Sequence, residues 1–157
     1  MKEIKNVTIE KLDGHELDKF EALIKVFEEV FEMQNFSIPS RKHLQGVLEK
    51  DGFMVFVARW KGNVIGGLTA YKMDQYYSEK PLAYIFDLAV LRSFQRQGLG
   101  KQLIQAITEY CQENGFEEAY VQADKVDDHA LDFYRSTPIT TEEQVVHFSY
   151  TMENKHR

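Results

Sequence analysis

The sequence predicts an α/β fold of the α+β kind, with a mixed central sheet of about six to seven strands flanked by about four helices. Three observations lead there. Strand-period and helix-period segments alternate along the 157 residues in the order β-α-α-β-β-β-α-β-α-β. One stretch, Leu82 to Leu91, is nearly continuous in apolar residues, as the centre of a sheet requires. A glycine-rich loop then joins that stretch to an amphipathic helix. A chain of this length is expected to form one domain with a proper core, over residues 1–152, with 153–157 a frayed tail.

The elements follow in order. Ile4 to Ile9 alternates and reads as a first strand. Leu17, Phe20, Leu23, Ile24, Phe27, Val30 and Phe31 fall at helical spacing, so a long amphipathic helix comes next. Ser40 is an N-cap for a shorter helix ending near Lys50. Phe53 to Arg59 and Val64 to Tyr71 are strands joined by a Lys61-Gly62-Asn63 turn. In the Leu82–Leu91 strand, Asp87 is the polar exception. Leu99, Leu103, Ile104, Ile107 and Tyr110 mark the buried face of the helix after the loop, and Gly115 ends it. Glu118 to Gln122 is a strand, and Asp127 or Asp128 caps a short helix through Arg135. Val145 to Met152 reads as a final strand.

Composition narrows the function classes. The chain is 43% hydrophobic and 13% aromatic, as globular proteins are, and no apolar run has the length of a membrane span. Met1 to Asn6 lacks the apolar core of a signal peptide. The single cysteine, Cys111, shares a helix face with apolar residues and reads as a buried spectator, which fits a reducing cytoplasm. A net charge of −6 argues against nucleic acid and suits a small cationic substrate. The five histidines are scattered without metal-ligand spacing, so no metal site is expected.

The chemistry begins at Gln95-Arg96-Gln97-Gly98-Leu99-Gly100-Lys101. A glycine-rich turn into a helix leaves backbone N–H groups without helical partners, all pointing one way, and the helix dipole adds to them. The expected ligand is a phosphate or pyrophosphate. The loop lacks the Gly-Lys-Ser/Thr of a Walker A sequence, and the third glycine and later acid of a dinucleotide fingerprint. Gln/Arg-x-x-Gly-x-Gly/Ala after a strand resembles the acyl-CoA loop of the GNAT N-acetyltransferase superfamily, and the element order is the GNAT order. A second stretch agrees: Asp127-x-x-Ala130-x-x-Phe133-Tyr134 is similar to that family's Asn-x-x-Ala-x-x-Phe-Tyr, with Asp replacing Asn.

The resemblance implies acetyl-CoA as co-substrate and direct transfer to an amine. Pyrophosphate would sit on the N–H groups of Arg96 to Lys101, with Gln95 completing the loop. Pantetheine would pair like an extra strand with Leu88, Ala89 and Val90, one of whose N–H groups polarises the thioester carbonyl. Tyr134 would protonate the departing thiolate; the alternative for it is a core tyrosine with its hydroxyl satisfied. Asp127 would lie beside both cofactor and acceptor. Asp87, costly in an apolar strand, is a candidate base acting directly or through a water. Its alternative role is structural, bonding backbone N–H groups at a β-bulge.

From Glu113 to Asp132 there are seven acids and one base, Lys125, a local charge of −6. Glu113, Glu117 and Glu118 read as solvation of a helix end. Asp124, Asp127 and Asp128 follow the C-terminal end of a strand, where ligand clefts of open α/β sheets form. Glu142 and Glu143 either close the same acidic rim or solvate a turn. From about Leu82 to Phe148 the chain resembles the aminoglycoside 3-N-acetyltransferase branch, through Tyr84-Ile85-Phe86-Asp87-Leu88-Ala89-Val90, Arg96-Gln97-Gly98, Tyr120-Val121-Gln122-Ala123-Asp124, the Asp127-Asp128 pair, Tyr134, and Glu142-Glu143 with His147-Phe148. The resemblance implies acetylation of an aminoglycoside 3-amino group, with Asp124, Asp127, Asp128, Glu142 and Glu143 holding the other ammonium groups. Pro138 stands where that branch usually has glycine, and Ser136 to Thr141 lengthens the loop. The same chemistry on a polyamine or protein amine, and an idle acyl-CoA-binding regulatory domain, are the rival functions. A homodimer is expected by the same resemblance.

Overall fold

The computed structural model describes residues 5–153. They form two compact units, the chain up to Gln122 and the chain from Ala123 onward. The first unit holds one mixed sheet of five strands in the order β1-β2-β3-β4-β5: β1 (Thr8–Lys11), β2 (Phe53–Trp60), β3 (Asn63–Met73), β4 (Leu82–Val90) and β5 (Glu118–Val121). The first four pair antiparallel, while β4 and β5 run parallel. Parallel pairing needs a crossover, and α3 (Leu99–Glu113) supplies it. Helices α1 (Leu17–Val30) and α2 (Arg41–Leu48) connect β1 to β2.

Period-2 alternation explains the two cores. On β2, Met54, Phe56 and Ala58 point into the cluster with Leu99, Leu103, Ile107 and Cys111 of α3. Val55 and Val57 point the other way, into the cluster with Phe20, Leu23 and Phe27 of α1 and Leu44 and Leu48 of α2. Leu23, Leu68 and Leu103 are fully buried. Each contributes about 1.5–3 kcal/mol relative to an exposed side chain.

The local signals act as expected. The Ser40 hydroxyl accepts from the His43 N–H and starts α2. Lys61 and Gly62 both have positive φ, the two-residue turn that matches hairpin twist between β2 and β3. Gly115, at φ +74°, lies just past the end of α3. Cys111 is buried, and burial pushes its thiol up to about 11.

Two expectations need correction. The first strand pairs over Thr8–Lys11 rather than Ile4–Ile9, because register with Arg59 to Phe56 of β2 sets its span; Ile4 lies outside the described residues. Val145 to Met152 forms no strand, so the sheet has five strands and not six to seven. Its alternation is suited to pairing, but a strand exists only with a partner. Among the described residues it pairs with none, and Val145, Val146, Phe148, Tyr150 and Met152 stand 63–86% exposed. The second unit contains one helix, α4 (Asp128–Arg135), capped by Asp127, whose carboxylate accepts from the Ala130 N–H at 3.0 Å.

Candidate active site

The first unit's site is built on the second half of β4. Pairing with β5 runs from Leu82↔Glu118 to Ile85↔Val121 and stops there. β4 continues for five more residues, Phe86 to Val90, held only by β3. The edge that faced β5 is therefore open from Phe86 onward. The Leu91 N–H donates to the Ile65 carbonyl at 2.8 Å, on the β3 side. Antiparallel alternation then turns the backbone groups of Ala89 to β3 and those of Leu88 and Val90 to the open edge. One acceptor on that edge is already taken: the Gln95 Nε2 amide donates to the Val90 carbonyl at 2.8 Å. That bond ties the glycine-rich loop to the end of the strand.

The loop itself begins with a 3-10 turn, Arg92–Phe94, whose Phe94 ring packs 5.3 Å from Trp60. Arg96 takes a left-handed φ of +63° and Gly98 one of +80°. Gly98 is the N-cap of α3 and offers no side-chain acceptor to it. The first intrahelical bond runs from the Gln102 N–H to the Gly98 carbonyl, which leaves the N–H groups of Leu99, Gly100 and Lys101 ahead of it. A Cβ at Gly98 would meet no protein atom within 4 Å. Glycine is required there by its φ, and the space beside it is what approach of a phosphate needs. Arg96 and Lys101 are exposed, Gln97 partly buried. Among the described residues, neither cation is in an ion pair. The loop thus combines uncapped N–H groups with unneutralised positive charge.

Asp87 lies one step before the Leu88–Val90 edge. A β-bulge is present, as the structural alternative for this aspartate supposed: Thr69 pairs with Asp87 and Ala70 with Ile85, leaving Phe86 as the extra residue. Yet among the described residues no donor bonds the Asp87 carboxylate. The side chain is half-buried, and that burial raises its pKa above the ordinary 3.8. A carboxylate raised by desolvation and left without donors has the character of a proton acceptor.

Gly66 and Gly67, in mid-β3 beside this segment, were not singled out by sequence reasoning. A Cβ at Gly67 would lie 2.5 Å from the Phe56 carbonyl oxygen and 2.7 Å from Leu23 Cδ1. The signal available was the glycine doublet inside a strand pattern, which marks close backbone approach.

The second unit carries the other expected residues. Asp124 is exposed; its carboxylate accepts from the Val126 N–H at 3.2 Å and its carbonyl from the Asp127 N–H at 2.9 Å. Asp127 is committed to capping α4, and Asp128 opens that helix's first turn, exposed. Tyr134 is partly buried, its ring 4.9 Å from Phe133. Glu142 is gripped by Arg135, Nε on Oε1 at 2.9 Å and Nη2 on Oε2 at 2.8 Å. The fork holds the Glu142 carboxyl below its usual range, and a cationic ligand must compete with it. Glu143 is exposed.

Residues 19–137 match the acetyltransferase (GNAT) family. An aminoglycoside acetyltransferase from an uncultured soil metagenomic sample, solved with trehalose, is similar at 60% identity and a TM-score of 0.92, covering 94% of this chain and 97% of that one. Its structure with sisomicin is similar at 59% identity and the same TM-score and coverage. A second aminoglycoside acetyltransferase from uncultured soil, HMB0005, is 28% identical with a TM-score of 0.87, covering 94% of this chain and 99% of that one. No protein of curated function matches the chain.

Proposed function

This chain belongs to the GNAT acetyltransferase family, and from that premise we propose that it acetylates the 3-amino group of an aminoglycoside. Acetyl-CoA is the co-substrate. The pyrophosphate is held by the N–H groups of Arg96 to Lys101 and the charges of Arg96 and Lys101. Pantetheine lies along the open edge of β4, where Leu88 and Val90 offer N–H groups to it and to the thioester oxygen. Asp87 takes the proton from the acceptor ammonium, directly or through a water. The free amine attacks the thioester carbon; the C–N bond forms and the C–S bond breaks. Tyr134 gives its proton to the leaving thiolate. Direct attack needs no protein nucleophile, so positioning and proton transfer supply the catalysis. Asp124, Asp127, Asp128, Glu142 and Glu143 attract the acceptor's remaining ammonium groups.

The observation that carries the acceptor is the 60% identity, over 94% of this chain, to an aminoglycoside acetyltransferase. Residues 136–141, where the loop departs from the branch pattern, make the position of attack the point to measure. Release of free thiol from acetyl-CoA is followed with gentamicin, kanamycin and spermidine separately, and the product is mapped by NMR. Acetylation of gentamicin at the 3-amino group is expected. Acetylation elsewhere on the drug overturns the position, turnover on spermidine alone overturns the acceptor class, and acetyl-CoA binding without turnover overturns the enzymatic reading. The exposed apolar residues from Val145 to Met152 support a homodimer. Light scattering that finds a monomer across a wide concentration range overturns that.

A further inference from the structure

A row of aromatic rings crosses the sheet beside Asp87. Phe53 of β2 pairs with Tyr71 of β3, Tyr71 with Tyr84 of β4, and Tyr84 with Tyr120 of β5. Directly paired residues share a face, so the rings form one transverse line. The centroids are 5.3 Å apart from Phe53 to Tyr71 and 4.9 Å, stacked, from Tyr84 to Tyr120. Phe86, the bulged residue, stands edge-on to both Tyr71 at 5.7 Å and Tyr84 at 5.9 Å. The line is anchored at one end, where Phe53 packs 5.6 Å from Phe20 of α1. From there it emerges: Tyr71 is 41% and Phe86 54% exposed.

Asp87 belongs to the same face. It pairs with Thr69, two residues before Tyr71 on β3, and residues two apart on a strand share a side. The bulge is what sets Phe86 and Asp87 next to each other on that side, instead of on opposite sides as regular alternation would. A polar edge accompanies the rings, since the Tyr84 hydroxyl donates to Gln122 Oε1 at 3.3 Å.

Structural need alone accounts for the buried end of the row. It does not account for two large exposed aromatics beside a carboxylate that bonds no donor among the described residues. Faces of this kind bind rings whose axial C–H bonds lie flat on π-systems while ammonium groups meet a carboxylate. We propose that Tyr71, Phe86, Tyr84 and Tyr120 form the platform on which a ring of a polycationic amino-sugar acceptor lies, with the reacting amine turned to Asp87. The inference rests on the aminoglycoside reading above and adds the acceptor's floor. The occupant is set by charge complementarity: Asp87 needs a cation, and the chain carries −6 overall.

The test uses the full chain with gentamicin as acceptor. Phe86→Ala and Tyr84→Leu are expected to raise KM for gentamicin roughly tenfold, the scale of a partly desolvated cation–π contact. KM for acetyl-CoA and the thermal midpoint stay within about twofold and about 2 °C of wild type, since Phe86 is on the surface. Tyr84→Phe, which keeps the ring, restores the gentamicin KM. Unchanged gentamicin KM in both variants overturns the platform, as does an equal rise in KM for acetyl-CoA. Wild-type protein that acetylates no aminoglycoside fails at the earlier reading instead, so the two failures are distinguishable.

Discussion

Replacing Asp87 by Asn separates catalysis from architecture. Asn keeps the shape and removes the charge. Were the carboxylate accepting N–H bonds at the bulge, its loss would cost about 1–3 kcal/mol for the donors left unpaired. No such bonds are present among the described residues, so that cost is expected to be near zero. The titration has a definite sign. Burial raises the folded pKa above the ordinary value of 3.8. Asp87 therefore favours folding while protonated, and that contribution is lost as pH rises from the unfolded value through the folded one. Above that window Asp87→Asn is expected to melt at the same temperature or higher. Its kcat/KM, by contrast, should fall by about 10²–10⁴, the usual contribution of a positioned base, or about 3–5 kcal/mol of barrier. Thiol release is followed from about pH 5 to pH 9 alongside calorimetry. The acidic limb of the wild-type profile should lie above pH 3.8 and vanish in the variant. Activity within about threefold of wild type, or a midpoint lowered by more than about 4 °C, refutes the reasoning.

Four further outcomes are expected. Gly67→Ala forces a Cβ to 2.5 Å from the Phe56 carbonyl oxygen, a backbone atom that cannot swing away, and should cost about 3 kcal/mol in denaturant unfolding; a cost below about 1 kcal/mol contradicts it. Gly98→Ala meets no atom but must hold φ at +80°, so about 1–2 kcal/mol is lost and acetyl-CoA binding by calorimetry weakens; unchanged binding would detach this turn from the cofactor. Tyr134→Phe should lower kcat with acetyl-CoA affinity little changed, and an unaltered kcat removes the tyrosine from the acid role. Asp124→Asn should raise KM for gentamicin more than KM for acetyl-CoA; equal losses would mark a folding defect.

What was legible in the sequence was whatever depends on neighbours along the chain. Ser40 and Asp127 cap helices because a short oxygen side chain meets an N–H three residues on. The amphipathic face of α3, the hairpin turn at Lys61-Gly62 and the glycine-rich entry to α3 are equally local. Asp87 stood out as the one carboxylate in an apolar run. Relations between strands were not legible, because register is fixed by partners far away in sequence. The β-bulge at Phe86, the end of β4–β5 pairing at Ile85 and the alignment of Tyr71, Tyr84 and Tyr120 all arise from register. So does the failure of Val145 to Met152 to be a strand: its alternation is a capacity for pairing, and no strand among the described residues completes it. Glu142 could be seen as an acid in the sequence, but only folding put the Arg135 fork on it. Local propensity thus determined the elements and the phosphate-binding turn, while tertiary contact decided which backbone edge is open and which side chains share a face with Asp87.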